Sequence, residues 1–269
     1  MICPRPSDIV GLAFWAAASC TSTAAADCDR VGTTLADIRS RGELRVGHTN
    51  DYRPFSFRTQ DGVPTGIDVD VAQRFAASLG VALEWVDTTW STLSADLAAR
   101  RFDVAMTGIS VTPDRAAIGC FSAPYFMTGK TAMTRCAATR RFDTLADLDT
   151  PDVTIVVNRG GTNERFVAAH LTHAHVIARD DNRAAIDTLA TGGADAMITD
   201  AIEARVESHD DPALCVADPP VLFDDVRKAY YFADDADWKA WIDAHLAELR
   251  ASGAFDAIVE RYVATERAP

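Results

Sequence analysis

Between Leu44 and Thr199, short apolar runs alternate with stretches in which apolar residues return every three or four positions. The first pattern marks buried strands and the second amphipathic helices. Leu44-Arg-Val-Gly47 reads as a strand, Asp51 to Gly66 as a turn-rich hairpin region, and Ile67, Val71, Phe75 and Leu79 as one face of a helix. A strand at Val81–Val86, a helix at about Thr92–Arg101 and a strand at Phe102–Met106 complete a strand-helix-strand-helix-strand series. The series then repeats: strand Val153–Val157, helix Thr162–Leu171, strand His175–Ala178, helix Arg183–Ala190 and strand Ala194–Thr199. Such alternation predicts an α/β fold with mostly parallel sheets flanked by helices, and two copies predict two lobes with a ligand cleft between them. The last strand of each series ends alike, in Val104-Ala-Met-Thr-Gly108 and in Ala196-Met-Ile-Thr-Asp200.

Beyond Asp218-Pro219-Pro220 the chain runs through Lys228-Ala-Tyr-Tyr-Phe232 into a helical region at about Ala236–Val263. Trp238, Trp241, Ile242, His245, Leu246 and Leu249 give that region one apolar face suited to packing on a domain. If it packs on the first lobe, two strands cross between the lobes and form a hinge. The expected division is then residues 27–133 with 228–269 in lobe one and 134–227 in lobe two.

Charge narrows the partners. Across 269 residues, 26 Lys and Arg stand against 39 Asp and Glu, a net charge of -13. That balance argues against nucleic acid or an anionic membrane surface and leaves a small molecule as the expected partner; an anionic one would need local cations. Arg5, the apolar run Ile9–Ala18 and the small residues Ala24-Ala25-Ala26 before Asp27 have the layout of a secretory signal peptide. The run is too short for a typical membrane span. Cleavage after about Ala26, loss of residues 1–26 and a soluble periplasmic protein without stable membrane insertion are expected. A lipoprotein signal ending at Cys20 is the lesser reading, since Ala17-Ala18-Ser19-Cys20 lacks a large aliphatic residue.

Export permits disulfides, and the remaining Cys28, Cys120, Cys136 and Cys215 allow three complete pairings among which spacing does not choose. There is no CxxC pair, and His170, His173 and His175 span a predicted helix end and strand start, so no metal and no cofactor are expected. No heptad seam appears, which leaves a homo-oligomer open.

Candidate chemistry gathers at strand ends, where open α/β sheets place ligand-contacting residues. In Ala194-Asp-Ala-Met-Ile-Thr-Asp-Ala-Ile-Glu-Ala-Arg205 an apolar run ends in Asp200, with Glu203 three residues on. The bland reading makes Asp200 a helix cap and Glu203 a partner of the helix dipole. Gly108-Ile-Ser-Val-Thr-Pro-Asp-Arg115 offers a helix start at Thr112-Pro113, the Ser110 hydroxyl and the Arg115 guanidinium fork, together suited to a carboxylate. An arginine in a first helical turn is otherwise usually a solvated charge. Val156-Val-Asn-Arg-Gly-Gly-Thr-Asn-Glu-Arg165 repeats the arrangement in the second lobe, with Asn158 and Thr162 as donors and Gly160-Gly161 allowing close backbone approach. Lys130, Trp90 and Asp51 complete the set by their loop placement. His48 lies near the presumed cleft, but no serine or cysteine nucleophile is paired with it.

Taken together, Leu44-Arg-Val-Gly, Asp51-Tyr-Arg-Pro-Phe, Gly66-Ile-Asp-Val-Asp, Arg115 with Phe121-Ser-Ala-Pro-Tyr125, and Asp195-Ala-Met-Ile-Thr-Asp200 resemble the polar amino-acid type of periplasmic solute-binding fold, over about residues 34–264. That resemblance implies a ligand carboxylate on Arg115 and often an amine on Asp200. Thr89-Trp90, Asp103 to Ser110, Gly129-Lys130-Thr131, Val157-Asn158 with Gly160 to Glu164, and Thr199 to Arg205 are more closely similar to the periplasmic cyclohexadienyl dehydratases. These are carbon–oxygen lyases acting on prephenate and arogenate in phenylalanine biosynthesis. The resemblance implies Glu203 as general acid, Lys130 as a second catalytic group, Asp51, Trp90, Ser110, Arg115, Asn158, Thr162 and Asp200 around the substrate, and a Cys136–Cys215 disulfide. Arg159 departs from a proline in that family and Asn50 from a glycine; Arg159 would add charge at the cleft rim, and Asn50 tolerates a left-handed turn. The rival implied by the fold is a non-catalytic amino-acid-binding protein serving an ABC transporter.

Overall fold

The structure is a computed structural model, and it describes residues 28–138, 142–216 and 221–263. The signal segment read over residues 1–26 lies outside the described residues. Among the described residues no helix is long and apolar enough to cross a membrane.

Two five-stranded sheets form the frame of the molecule, beside a small antiparallel sheet of Asp51–Tyr52, Ser56–Arg58 and Pro64–Thr65. In the first, the order is Ala82–Asp87, Glu43–His48, Val104–Ala105, Tyr231–Phe232 and Cys120–Phe121, with only Tyr231–Phe232 running against the others. In the second it is His175–Arg179, Thr154–Asn158, Ala196–Asp200, Lys130–Arg135 and Leu214–Val216, with Lys130–Arg135 reversed. Mostly parallel sheets need helical cover on their faces, and this hides the central strands: Ala196–Asp200 is buried at all five positions. The reversed strands are those that follow the two crossings between lobes.

The crossing itself is a short antiparallel pair, Phe126–Thr128 against Val226–Lys228. A lobe boundary between residues 133 and 134 would cut through strand Lys130–Arg135, whose whole length pairs with the second-lobe strand Ala196–Asp200 or its neighbour. The crossing therefore precedes Lys130. That strand was not legible as one, because Lys130-Thr-Ala-Met-Thr-Arg135 has charged ends and no sustained alternation.

The helical C-terminal region is two helices, Ala236–Ala251 and Ala254–Val263, parted at Gly253 with φ 72°. A left-handed residue there stops the first helix and reaims the chain. Trp238, Ile242 and Leu246 from the first, and Phe255 and Ile258 from the second, join Ile38, Val46 and Phe75 in one buried cluster. These two helices are thus part of the first lobe's core, and each such side chain contributes about 1.5–3 kcal/mol by burial. The second lobe has its own clusters, around Ile155, Val157 and Ile198 on one side of its sheet and around Val156, Leu189 and Met197 on the other.

Cysteines pair as Cys28–Cys120 and Cys136–Cys215. The second bond ties the outgoing end of strand Lys130–Arg135 to its edge neighbour Leu214–Val216.

Candidate active site

Strand ends build the site. Asp200 is the last residue of strand Ala196–Asp200 and stands directly opposite Lys130 in the antiparallel register. It occupies the cap position of helix Ala201–Asp210, yet its side chain makes no capping bond. The carboxylate turns instead to two buried ammonium groups: Lys130 Nζ donates to Oδ1 at 2.8 Å and Lys228 Nζ to Oδ2 at 2.6 Å. Tyr52 Oη also donates to Oδ2. Burial alone would raise the Asp200 pKa, but the two lysines outweigh it and hold the carboxylate well below its ordinary value.

Each lysine also reaches acceptors of a different lobe. Lys130 Nζ also donates to Thr162 Oγ1 at 3.0 Å and to Asn163 Oδ1. Lys228 Nζ donates to Ser110 Oγ at 3.0 Å, and residues 110 and 228 face each other across an antiparallel bridge. Burial, with Lys130 and Arg115 repelling it, outweighs Asp200's support and lowers the Lys228 pKa to about 8.

Arg115 is buried rather than solvated, at 3% exposure. Thr112 caps its four-residue helix and Pro113 opens it, which turns the guanidinium inward. There Nη1 donates to Ser110 O at 2.9 Å, and Cζ lies 5.8 Å from the centroid of the Trp90 ring. Burial and the charge of Arg165 push its pKa down to about 10, which leaves it cationic at neutral pH.

Glu203 is fully buried in the first turn of helix Ala201–Asp210. Burial raises its pKa well above the ordinary value; the bond from Thr199 opposes this, while Glu207, Asp200 and Asp51 add to it. Thr199 Oγ1 donates to Oε2, whereas Oε1 has no hydrogen-bond partner among the described residues. Thr199 in turn accepts from Asn163 Nδ2 at 3.4 Å, and the same amide donates to Asn158 Oδ1 at 2.8 Å.

Between these groups lies a cavity of about 10 Å³, whose walls include Tyr52, Trp90, Ser110, Thr162, Asp200 and Lys228. It is smaller than the roughly 300–1,000 Å³ of most small-molecule sites, so the lobes stand closed over it. Gly160 makes that approach feasible: it has φ 73°, and a Cβ there would meet the Ser91 backbone of the other lobe at 2.5 Å.

The family model of the bacterial extracellular solute-binding proteins, family 3, matches residues 44–265. The chain belongs to this family. It is 44% identical over 226 residues to the cyclohexadienyl dehydratase of Pseudomonas aeruginosa, across 84% of each chain. Among solved structures, an ancestral amino acid-binding protein, a precursor of cyclohexadienyl dehydratase, superposes with a TM-score of 0.80 at 32% identity, covering 86% of this chain and 99% of that one. The arginine-bound form of ArgBP from T. maritima is similar at a TM-score of 0.75 and 31% identity, over 80% of this chain and 99% of that one.

Within this solute-binding frame the residues singled out in the sequence fall into three positions. Trp90, Ser110, Asn158, Thr162 and Asp200 line the cavity. Lys130, Arg115 and Glu203 lie directly behind that wall and reach it through hydrogen bonds to its members or, for Glu203, through Thr199 and Asn163. Asp51 faces away: its carboxylate accepts from Trp90 Nε1 at 3.0 Å and from the Asn182 backbone N–H at 3.0 Å, joining the lobes at a neighbouring cleft. Burial raises its pKa to about 6, with those bonds opposing.

Arg159 is exposed and pairs loosely with Asp180 at 3.8 Å. Its backbone N–H donates to Arg179 O at 2.7 Å, a bond that a proline could not make. Asn50 has φ 62°, the left-handed turn its residue type tolerates. Lys228, Tyr52, Asn163, Thr199 and Asn182 were missed as individual site residues. Lys228 alone carried a signal, a lysine heading the otherwise apolar run Ala229–Phe232.

Proposed function

We propose that this chain is an exported cyclohexadienyl dehydratase, converting prephenate to phenylpyruvate and arogenate to phenylalanine with loss of water and carbon dioxide. Prephenate carries two carboxylates and a ring hydroxyl. The bond from the ring to its carboxylate breaks, carbon dioxide leaves, and the freed electron pair completes the aromatic ring as the carbon–oxygen bond breaks. The departing hydroxide takes a proton and becomes water, so each turnover consumes one proton. The electrons move within the substrate; the protein supplies an acid and a clamp.

Glu203 carries this reading. It is a fully buried carboxyl whose raised pKa favours the protonated form a general acid needs, linked through Thr199 and Asn163 to the cavity wall, on a chain 44% identical to a cyclohexadienyl dehydratase. Its unpartnered Oε1 is the oxygen left to carry the acidic proton, and it reaches the leaving hydroxyl once the side chain turns toward the cavity. Arg115, Ser110, Thr162, Lys130 and Asn158 serve as donors for the substrate's anionic groups, and Trp90 as an apolar wall. Two disulfides fit an oxidising compartment, and the expected periplasmic location follows from the extracellular family together with the signal layout of residues 1–26.

The test is purified protein with prephenate at neutral pH, following phenylpyruvate. Glu203→Gln is expected to retain binding while turnover falls about 10²–10⁴-fold, the usual worth of a positioned acid. Unchanged turnover in that variant would remove Glu203 from the mechanism. No product from the unaltered protein, with tight binding of an amino acid, would instead make the chain a transporter's binding protein.

A further inference from the structure

Asp200 is the only carboxylate among the described residues lining the cavity, and both of its oxygens already accept from protein donors, Oδ2 from two of them. Oδ1 accepts from Lys130; Oδ2 accepts from Lys228 and Tyr52. The two lysines differ in where they stand. Lys130 lies behind the wall, facing Asp200 directly across the sheet register, and belongs to the second lobe. Lys228 is on the wall itself, at the end of the strand that crosses back to the first lobe, and bridges Asp200 to Ser110. Its Nζ also sits 4.8 Å from the centroid of the Tyr52 ring, a second restraint on the same position.

A ligand ammonium needs a carboxylate or carbonyl oxygen to accept its protons and offset its charge. In this cleft each oxygen of the carboxylate already faces an ammonium group, and the cations around it outnumber it: Lys130 and Lys228 on its oxygens, with Arg115 behind Ser110. Around Asp200 the wall therefore presents donors and positive charge; the unpartnered carbonyl oxygen elsewhere on the wall, Asn182 Oδ1, carries no charge to offset an ammonium. A keto group or carboxylate beside Asp200 finds lysine and hydroxyl donors; an ammonium meets like charge.

We propose that Lys228 is the specificity-determining residue of this cleft: by occupying Asp200 Oδ2 it selects ligands that lack an ammonium group, favouring prephenate over arogenate. Removing its charge frees Asp200 to accept an ammonium. The part concerning turnover rests on the dehydratase reading; the part concerning binding does not.

The experiment is Lys228→Met, which keeps the apolar stem and deletes the ammonium, compared with the unaltered protein in two assays. In the first, kcat/KM for arogenate relative to prephenate is expected to rise at least tenfold. In the second, calorimetric affinity for L-phenylalanine relative to phenylpyruvate, a pair that differs at the same group, is expected to shift in the same direction by a similar factor. Lys228→Arg should keep the original preference, and Asp200→Asn added to Lys228→Met should cancel the gain, because the ammonium then has no carboxylate to meet. If Lys228→Met does not fold, Lys228→Gln, which retains a donor toward Ser110, carries the same comparison. An equal fall for both substrates with an unchanged binding ratio overturns the proposal. If the unaltered protein turns over neither substrate, the dehydratase reading fails while the binding ratio still decides the role of Lys228.

Discussion

At the scale of single residues, burial and charge have been distributed so that two acids three positions apart behave oppositely. Asp200, between two lysines, stays ionised at any ordinary pH, whereas burial and acidic neighbours push Glu203 toward its protonated form. On the cavity wall, Lys228 is the group whose charge changes nearest working conditions, with a pKa of about 8. It is cationic below that value and neutral above it, so the positive charge that draws a dianion is present at low pH and lost as pH rises. For the dehydratase reaction, kcat/KM for prephenate should fall with unit slope above about pH 8, and Lys228→Arg should move that limb upward; a profile flat to pH 9.5 would separate Lys228 from anion binding. Glu203, Asp200 and Arg115 were legible because strand ends and a capped helix start announce positions that face a cleft. Lys228, Tyr52 and Asn163 were not, since their meeting depends on cross-strand register and lobe closure, neither of which leaves a local pattern.

At the scale of elements, the loop that carries Ser110 is held by a helix start. Asp68, in the first turn of helix Ile67–Leu79, accepts from Gly108 N–H at 2.6 Å and from Tyr125 Oη at 2.8 Å, with Tyr230 Oη at 3.4 Å. Burial raises its pKa to about 7 despite those bonds. The folded state therefore keeps a proton that the unfolded chain releases near the ordinary carboxylate pKa of about 4. The stability this adds is full below that value and is lost progressively as pH rises toward 7. Asp68→Asn, which fixes the neutral form, should flatten the pH dependence of the melting temperature between pH 5 and 7; an unaltered slope would place the linked proton elsewhere. Helix and strand order was readable here because apolar periodicity is local. The strand Lys130–Arg135 and the break at Gly253 were not, the first because its polar ends mask its register and the second because one residue's left-handed φ divides an otherwise continuous apolar face.

For the whole molecule, the cavity's small volume means that a ligand enters only when the lobes part about the crossing pair Phe126–Thr128 and Val226–Lys228. What holds them together is a short series of polar contacts: Tyr52 with Asp200, Arg53 with Asp210, and Asp51, which bridges Trp90 of one lobe to the Asn182 N–H of the other. Neither Asp51 nor the Arg53–Asp210 pair lines the cavity, and of the two Asp51 makes the more buried contact, so its removal acts on closure and leaves the cavity's own donors in place. A hydrogen bond to a charged group is worth about 1.5–3 kcal/mol, and losing it reduces the closed fraction by up to about 10–100-fold. Apparent affinity scales with that fraction, because only the closed form completes the site. Asp51→Ala should accordingly raise KM by roughly tenfold or more while kcat, measured at saturation, changes little. Small-angle scattering of the ligand-free variant should show a larger radius of gyration that returns to that of the unaltered protein on adding phenylpyruvate. A kcat that falls as far as kcat/KM, with no change in scattering, would instead place Asp51 in the chemical step.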